Sequence, residues 1–286
     1  MVKLVLPSKE EGYGVVVNLD KCIGCRACEI ACQAWNGRKA VETTFSTVFA
    51  NPPDLTADAW KVVFYYESES QKTLNIPEGS FTFQQVTWTP LPFQCMHCYD
   101  PPCARACPVG AIKVTPEDAV VIRAEECIGC GYCQTACPYN VPRRGSDGKF
   151  YKCTFCVDRI QNGLKPACVE ACPTGVFTFT SIKEAVRIAR EAKSQGKAVY
   201  GLDLDNYIGG GTRWIYVASK EKASALKEKL PDNPVVATRQ AQEVLKDIAI
   251  PGFSAGAVAL AIIGGFAYWR AKRFEQQVAN EGGEKR

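Results

Sequence analysis

The chain has a single histidine, His97, and two methionines among 286 residues. Chemistry that needs a pair of histidines is excluded, including a bis-histidine haem held by this chain alone. Charge of one sign is also lacking. Lys+Arg is 34 and Asp+Glu is 30, so the formal net charge is +4. That is too small and too evenly spread to argue for a nucleic-acid partner. The stretch Met1 to Glu11 has no apolar run of signal-peptide length. Gly209-Gly210-Gly211 is not followed by lysine and serine or threonine, so it predicts a turn and not a phosphate loop. Hydrophobic residues at 47% and charged residues at 22% exclude disorder along the whole chain.

What is abundant is cysteine, 16 in all. They fall into four groups of four. The first is Cys22, Cys25, Cys28 and Cys32; the second is Cys95, Cys98, Cys103 and Cys107. The third is Cys127, Cys130, Cys133 and Cys137; the fourth is Cys153, Cys156, Cys168 and Cys172. The third is the bacterial ferredoxin run C-x2-C-x2-C-x3-C-P without deviation. The first departs only in Gln33, where proline is usual, and the second and fourth lengthen the middle spacing.

Three closely spaced thiolates cap three corners of one four-iron cubane. The fourth cysteine, beyond the next turn, serves the neighbouring cluster. Soft thiolate selects iron–sulfur or zinc over magnesium or calcium. Zinc ribbons use two C-x2-C pairs across a longer loop, a pattern only the fourth group approaches. Disulfides suit small secreted domains, and this chain is far longer. Four [4Fe–4S] clusters are therefore expected.

Each fourth cysteine needs a partner group, so the groups pair. First with second and third with fourth is one arrangement; first with fourth and second with third is the other. Val109 to Val114 and Ala119 to Ile122 predict the short strand pair of a ferredoxin between the second and third groups. That favours the nested arrangement, although spacing alone leaves the sequential one open. The expected class is α+β: two nested ferredoxin-like two-cluster modules plus a C-terminal transmembrane helix.

Residues 1–40 with 146–180 form the outer module and 93–145 the inner one. Residues 41–92 form a β-rich insert, with strands predicted at Trp60 to Tyr66 and Phe81 to Trp88. Their aromatics are expected in the core or at subunit contacts. Residues 181–247 form a helix–strand extension. Ser181-Ile182-Lys183-Glu184 is a capping box opening a helix to about Gln195, stopped by Gly196. Ala185, Ile188, Ala189 and Ala192 are its expected buried stripe. Thr212 to Ala218 is a predicted strand.

Residues 248–269 carry no charge. As a helix they would span about 33 Å, enough for a hydrocarbon core of about 30 Å. A buried soluble helix is the bland alternative. Tyr268 and Trp269 at one edge and the basic residues that follow favour the membrane. Gly252, Gly256, Ala257, Ala261 and Gly265 would present a small-residue face to another transmembrane helix. Arg270, Lys272, Arg273, Lys285 and Arg286 outnumber the basic residues before the span, which predicts a cytoplasmic tail at 270–286. The cluster domain is then expected on the periplasmic or equivalent side, crossing already folded with a partner that bears a twin-arginine signal.

Trp35-Asn36, Asn51 to Trp60, Gln94 to Cys98 and Tyr151 to Arg159 carry a further signal. With Gly210-Gly211-Thr212 and the terminal anchor, they resemble the iron–sulfur (beta) subunits of membrane-bound respiratory formate dehydrogenases. The resemblance covers nearly the whole chain. It implies the nested pairing, with one cluster on Cys22, Cys25, Cys28 and Cys172 and its neighbour on Cys32, Cys153, Cys156 and Cys168. It implies a third cluster on Cys95, Cys98, Cys103 and Cys137 and a fourth on Cys107, Cys127, Cys130 and Cys133. Related nitrate reductase subunits place a tryptophan in the third group. Cys130 holds that place here, so four-iron clusters are expected throughout.

The same resemblance implies a non-catalytic electron wire. A molybdenum or tungsten bis-pterin subunit would oxidise formate, and a b-type cytochrome would pass the electrons to quinone. Rivals are the same wire in a hydrogenase or a polysulfide- or nitrate-type reductase, or, in another class, a zinc-structured interaction module. Lys152, Arg143 and Arg144 lie beside ligands, where they would raise potentials or serve as solvated or interface charges. His97 is expected to pack beside the cysteines and not to ligate. Each oxidised cubane with its four thiolates carries roughly −2, so four would take the formal +4 to about −4.

Overall fold

The computed structural model describes residues 6–45, 48–204 and 206–236. The described residues form ten strands and seven α-helices. The strands are β1 (Tyr13–Asn18), β2 (Val62–Ile76), β3 (Gly79–Phe93), β4 (Ile112–Val114) and β5 (Val120–Ile122). They continue with β6 (Arg143–Arg144), β7 (Phe150–Tyr151), β8 (Phe177–Ser181), β9 (Ala198–Leu202) and β10 (Gly211–Ala218). The helices are α1 (Ala27–Trp35), α2 (Pro102–Arg105), α3 (Tyr132–Thr135), α4 (Val157–Gln161), α5 (Ala167–Glu170), α6 (Ile182–Ser194) and α7 (Ala223–Lys229).

The main sheet runs β8-β1-β10-β9, with β1 and β10 parallel and the outer pairings antiparallel. Its two central strands are buried almost throughout and mostly apolar, with Thr212 and Arg213 the polar exceptions in β10. Val15, Val16 and Val17 are buried in β1, and every residue of β10 is buried. That is the signature of strands covered on both faces. α6 covers one face. Ser181 Oγ accepts the Glu184 N–H at 3.4 Å, and Gly196 closes the helix end at φ +80°. Ile182, Ala185 and Ala189 are buried against Val16, Ile215 and Val217. Ile188 and Ala192 are partly buried beside them. Ile182 adds to the stripe expected from the helical spacing. Burying it contributes about 1.5–3 kcal/mol.

The extension's strands β9 and β10 complete the sheet that β1 and β8 of the outer module begin. β10 also meets the inner module. Cys98 bridges Thr212, Tyr99 N–H donates to Gly211 O at 3.1 Å and Arg213 N–H to Met96 O at 3.1 Å. β4 and β5 pair between the second and third cysteine groups.

The insert is one long hairpin. β2 and β3 pair without a break from Val62↔Phe93 to Ile76↔Gly79. Its base is buried at Val62, Val63, Leu91 and Phe93, while Leu74, Ile76 and Phe81 near the tip are exposed. The anchor expected at 248–269, with Gly252, Gly256, Ala257, Ala261 and Gly265, lies outside the described residues. Among the described residues no helix is long and apolar enough to cross a membrane.

Candidate metal centres

The first and third cysteine groups share one local design. A 3₁₀ turn, Leu19–Lys21 or Ala124–Glu126, delivers the chain into Cys22 or Cys127. Two positive-φ residues then curl it. Gly24 and Arg26 have φ +71° and +60°, and Gly129 and Gly131 have φ +71° and +84°. A Cβ at Gly24 would come within 2.6 Å of the Tyr65 ring, and one at Gly129 within 2.4 Å of Gly148 O. At Gly24 and Gly129 the positive φ and the close approach together leave room for glycine only. α1 and α3 start directly afterwards, so Cys28 and Cys133 fall in a first helical turn. Cys32 lies one turn further along α1, where it lines a different cavity.

All sixteen cysteines are free thiols. Cys22, Cys25, Cys28 and Cys172 line a cavity with Ile23, Val63, Pro92, Val176 and Phe177. Cys32, Cys153, Cys156 and Cys168 line a second with Trp60, Lys61 and Trp214. Cys107, Cys127, Cys130 and Cys133 line a third with Ile112, Ile122, Ile128 and Phe150. The remaining four meet electrostatically. Burial, and then Cys137, Cys95 and Cys103, push the Cys98 thiol far up. Every set thus combines the first group with the fourth or the second with the third.

Among the described residues no three His, Cys, Asp or Glu side chains converge closely enough to hold a single metal ion. A tetrahedral zinc site needs four sulfurs each about 2.3 Å from one centre. Four cysteines spread around a cavity fit a multi-atom iron–sulfur group better, and cysteine is the donor such groups require.

Several of the buried thiols hold their protons tightly in the protein alone. Burial pushes Cys28 and Cys133 up to about 12, with neighbouring thiols adding to it. Burial also raises Cys137 and Cys156 to about 11, against backbone N–H groups that pull them down. Bound iron reverses this balance, because a coordinating thiol is deprotonated outright. Cys172 is already prepared: burial would raise it, but the N–H groups of Val176, Thr174 and Gly175 bring it below the usual thiol range. Val176 N–H donates to Cys172 Sγ at 3.4 Å and Ala111 N–H to Cys107 Sγ at 3.3 Å. These are the same contact, four residues past the last cysteine of the fourth and second groups.

His97 is fully buried, at φ +47°. Its Nδ1 accepts the Val120 N–H at 3.0 Å, so the proton sits on Nε2. Burial, then the charges of Lys152 and Arg213, hold it neutral. Its ring packs 4.9 Å from that of Phe155. Lys152 is also buried and donates to the carbonyls of Val120 and Cys153. Arg143 is half-buried and pairs with Asp54 at 2.6 Å. Arg144 is exposed and donates to Gly148 O.

The four sets differ in depth. Cys32, Cys153, Cys156 and Cys168 are all buried, as are Cys95, Cys98 and Cys103, with Cys137 intermediate. In each of the other two sets one cysteine is exposed, Cys25 and Cys130. An exposed isoleucine stands beside each: Ile23, 66% exposed, lines the cavity of Cys25 together with Arg26, and Ile128, 64% exposed, lines that of Cys130 together with Val109.

Two residues escaped sequence reasoning. Lys61 is buried against the second cavity, yet in sequence it is a lysine beside a strand and nothing marks it. Arg213 is fully buried in β10. An arginine inside Thr212-Arg213-Trp214-Ile215, an otherwise apolar run, was the available signal.

A 4Fe-4S dicluster domain matches residues 21–111, and a second 4Fe-4S dicluster domain matches residues 86–182. The nitrate-inducible formate dehydrogenase iron–sulfur subunit of Escherichia coli (strain K12) is 37% identical over 247 residues, 84% of this chain and 80% of that one. The formate dehydrogenase-O iron–sulfur subunit of the same organism is 35% identical over 254 residues, 86% of this chain and 80% of that one. The formate dehydrogenase iron–sulfur subunit of Haemophilus influenzae is 37% identical over 256 residues, 86% of this chain and 77% of that one.

Proposed function

The chain belongs to the family of formate dehydrogenase iron–sulfur subunits, and from that membership we propose a two-ended electron wire with one cluster per cysteine set. It is the non-catalytic electron-transfer subunit of such a complex, and its partner is a catalytic subunit. One-electron transfer is the chemistry that four [4Fe–4S] groups supply when bound. Cys22, Cys25, Cys28 and Cys172 hold the entry site; Cys32, Cys153, Cys156 and Cys168 hold the next. Cys95, Cys98, Cys103 and Cys137 hold the third, and Cys107, Cys127, Cys130 and Cys133 the exit.

The observation that carries this reading is the depth pattern. The two middle sets are largely buried, and each outer set offers one exposed cysteine beside an exposed isoleucine, Ile23 or Ile128. Buried middle sites prevent electron leakage, and exposed isoleucines suit the desolvated core of a protein interface. Ile23 and Ile30 meet the catalytic subunit, which carries molybdenum or tungsten. Ile128, Tyr132 and Val109 meet a b-type cytochrome that passes electrons to quinone. Residues 248–269 anchor the chain in the lipid beside that cytochrome. The cluster domain stands on the extracytoplasmic side and the C-terminus in the cytoplasm.

The test uses the complex purified with its native partners. Formate should bleach the cluster absorbance. Ile23→Glu should slow that bleaching at least tenfold. Ile128→Glu should leave bleaching intact and slow reoxidation by quinone at least tenfold. Hydrogen reducing the clusters where formate does not, or both variants behaving as wild type, would overturn the reading.

A further inference from the structure

Lys61 is 2% exposed. Its Nζ lies 2.5 Å from Gln94 Oε1, 4.4 Å from the Phe177 ring centroid and 4.6 Å from that of Trp214. Phe177 is a wall of the cavity of Cys22, Cys25, Cys28 and Cys172. Trp214 and Lys61 itself are walls of the cavity of Cys32, Cys153, Cys156 and Cys168. The ammonium therefore stands between the two sets.

Its position is fixed from behind. Gln94 Nε2 donates to Tyr216 OH at 3.0 Å, and Tyr216 OH donates to Pro92 O at 2.8 Å. Both side chains are buried, so Gln94 can present only its oxygen to the lysine. No carboxylate pairs with Lys61 among the described residues. A buried ammonium without a counter-charge is strongly disfavoured. The aromatic faces and one neutral amide oxygen offset only part of that cost. The negative charges within reach are those of the thiolates and, at longer range, the Glu29 carboxylate, which Val63 N–H and Arg26 already serve. The field of Lys61 acts on Cys168, Cys28 and Cys153, which belong to both sets.

Lys152 repeats the arrangement one step along. It is 3% exposed and donates to the carbonyls of Val120, in the inner module, and Cys153, in the outer one. Its field acts on Cys95, Cys103 and Cys153.

We propose that Lys61 and Lys152 are built-in buried cations, one at each of the first two junctions of the wire, that raise and level the reduction potentials of the sites on either side. This rests on the assignment of one cluster to each cysteine set. An electron arriving at either side of a junction adds negative charge, and a fixed cation between the two sides stabilises that charge on both. Neither site then traps the electron relative to its neighbour. The low dielectric of the interior keeps the effect strong, and the burial protects it from salt.

The experiment is an EPR-monitored redox titration of the purified complex. Wild type is compared with Lys61→Met, Lys61→Arg and Lys152→Met, and iron and sulfide are counted in each. Lys61→Met should shift the oxidised-to-reduced ratio of both outer-module clusters at least tenfold toward oxidised at fixed potential. Each tenfold is about 59 mV for a one-electron couple. The inner clusters should stay within threefold, and Lys61→Arg should restore the outer pair. Lys152→Met should move only the clusters on Cys153 and Cys95. Unchanged potentials in Lys61→Met, or an equal shift of all four clusters, would overturn the proposal. If Lys61→Met loses outer-module iron, Lys61→Arg decides. Retention with arginine supports the charge, and loss with both makes Lys61 a packing residue and refutes it. Fewer than about sixteen irons in this subunit of the wild type, after the partners' iron is subtracted, would refute the ligand assignment itself and not the role of the lysines.

Discussion

Replacing Arg213 with methionine removes the side chain that ties three parts of the fold together. Arg213 is fully buried and pairs with Asp118 Oδ2 at 2.8 Å. Asp118 sits in the turn between β4 and β5 of the inner module, while Arg213 is in the central sheet. The guanidinium also donates to Tyr13 O at 2.7 Å, to Glu11 O at 3.2 Å and to Ser8 O. Burial alone would weaken its charge, and the nearby Asp118 carboxylate works against that. Breaking a buried pair by deleting one partner costs about 3–5 kcal/mol, since a lone carboxylate stays inside. Each abandoned carbonyl would add about 1–3 kcal/mol, less what entering water recovers. Taking about 4 kcal/mol, and about 2–4 °C per kcal/mol for a domain of this size, the midpoint should fall by roughly 8–16 °C. The assay is thermal loss of cluster absorbance in the holo-protein at a fixed scan rate, alongside circular dichroism. The double variant Arg213→Met, Asp118→Asn removes the stranded charge and should recover about 2 kcal/mol. A fall below about 3 °C, or a double variant no more stable than the single, would refute the reasoning.

Three further outcomes are expected. Gly129→Ala should cost about 1–3 kcal/mol, because it forces a Cβ against Gly148 O at a positive φ; a wild-type iron content and midpoint would contradict this. Ser181→Ala removes the cap of α6 and should lower the thermal midpoint by roughly 2–4 °C, for a cost of about 1 kcal/mol. Burial works to raise Glu117, yet its own N–H, Thr115 and Gln161 hold it below the usual carboxylate range. A depressed carboxylate stabilises the fold above its unfolded value, about 4.3, and that contribution is lost as the pH falls through the folded value. Glu117→Gln should therefore unfold at a lower temperature than wild type at pH 7, and the gap should close below about pH 4; a gap that persists there would count against it.

Local signals carried much of the fold. Cysteine spacing identified the four groups because the loops that present them are short and each closes on itself. The cap at Ser181 and the stop at Gly196 located α6, since both act within one helical turn. The strand pair at β4 and β5 was legible from two short apolar runs around a turn. What stayed hidden depends on long-range pairing. Nothing near Ala198–Leu202 indicates that β9 joins a sheet begun at Tyr13, because register between distant strands is set by packing. The hairpin was visible only in part. Polar residues between Glu67 and Asn75 mask a ladder that continues for the full length of β2. Lys61 was illegible for a related reason. Its burial comes from Phe177, Trp214 and Gln94, which lie far apart in the chain.

The wire itself is tested most directly by cutting it at the proposed entrance. A complex whose iron–sulfur chain carries Cys25→Ala and Cys28→Ala should lose about four irons and keep the other three clusters. Dithionite should reduce those three as in wild type. Formate should leave them oxidised, as read by freeze-quench EPR. Reduction of all three by formate at the wild-type rate would contradict entry through the set of Cys22, Cys25, Cys28 and Cys172, and with it the order of the wire.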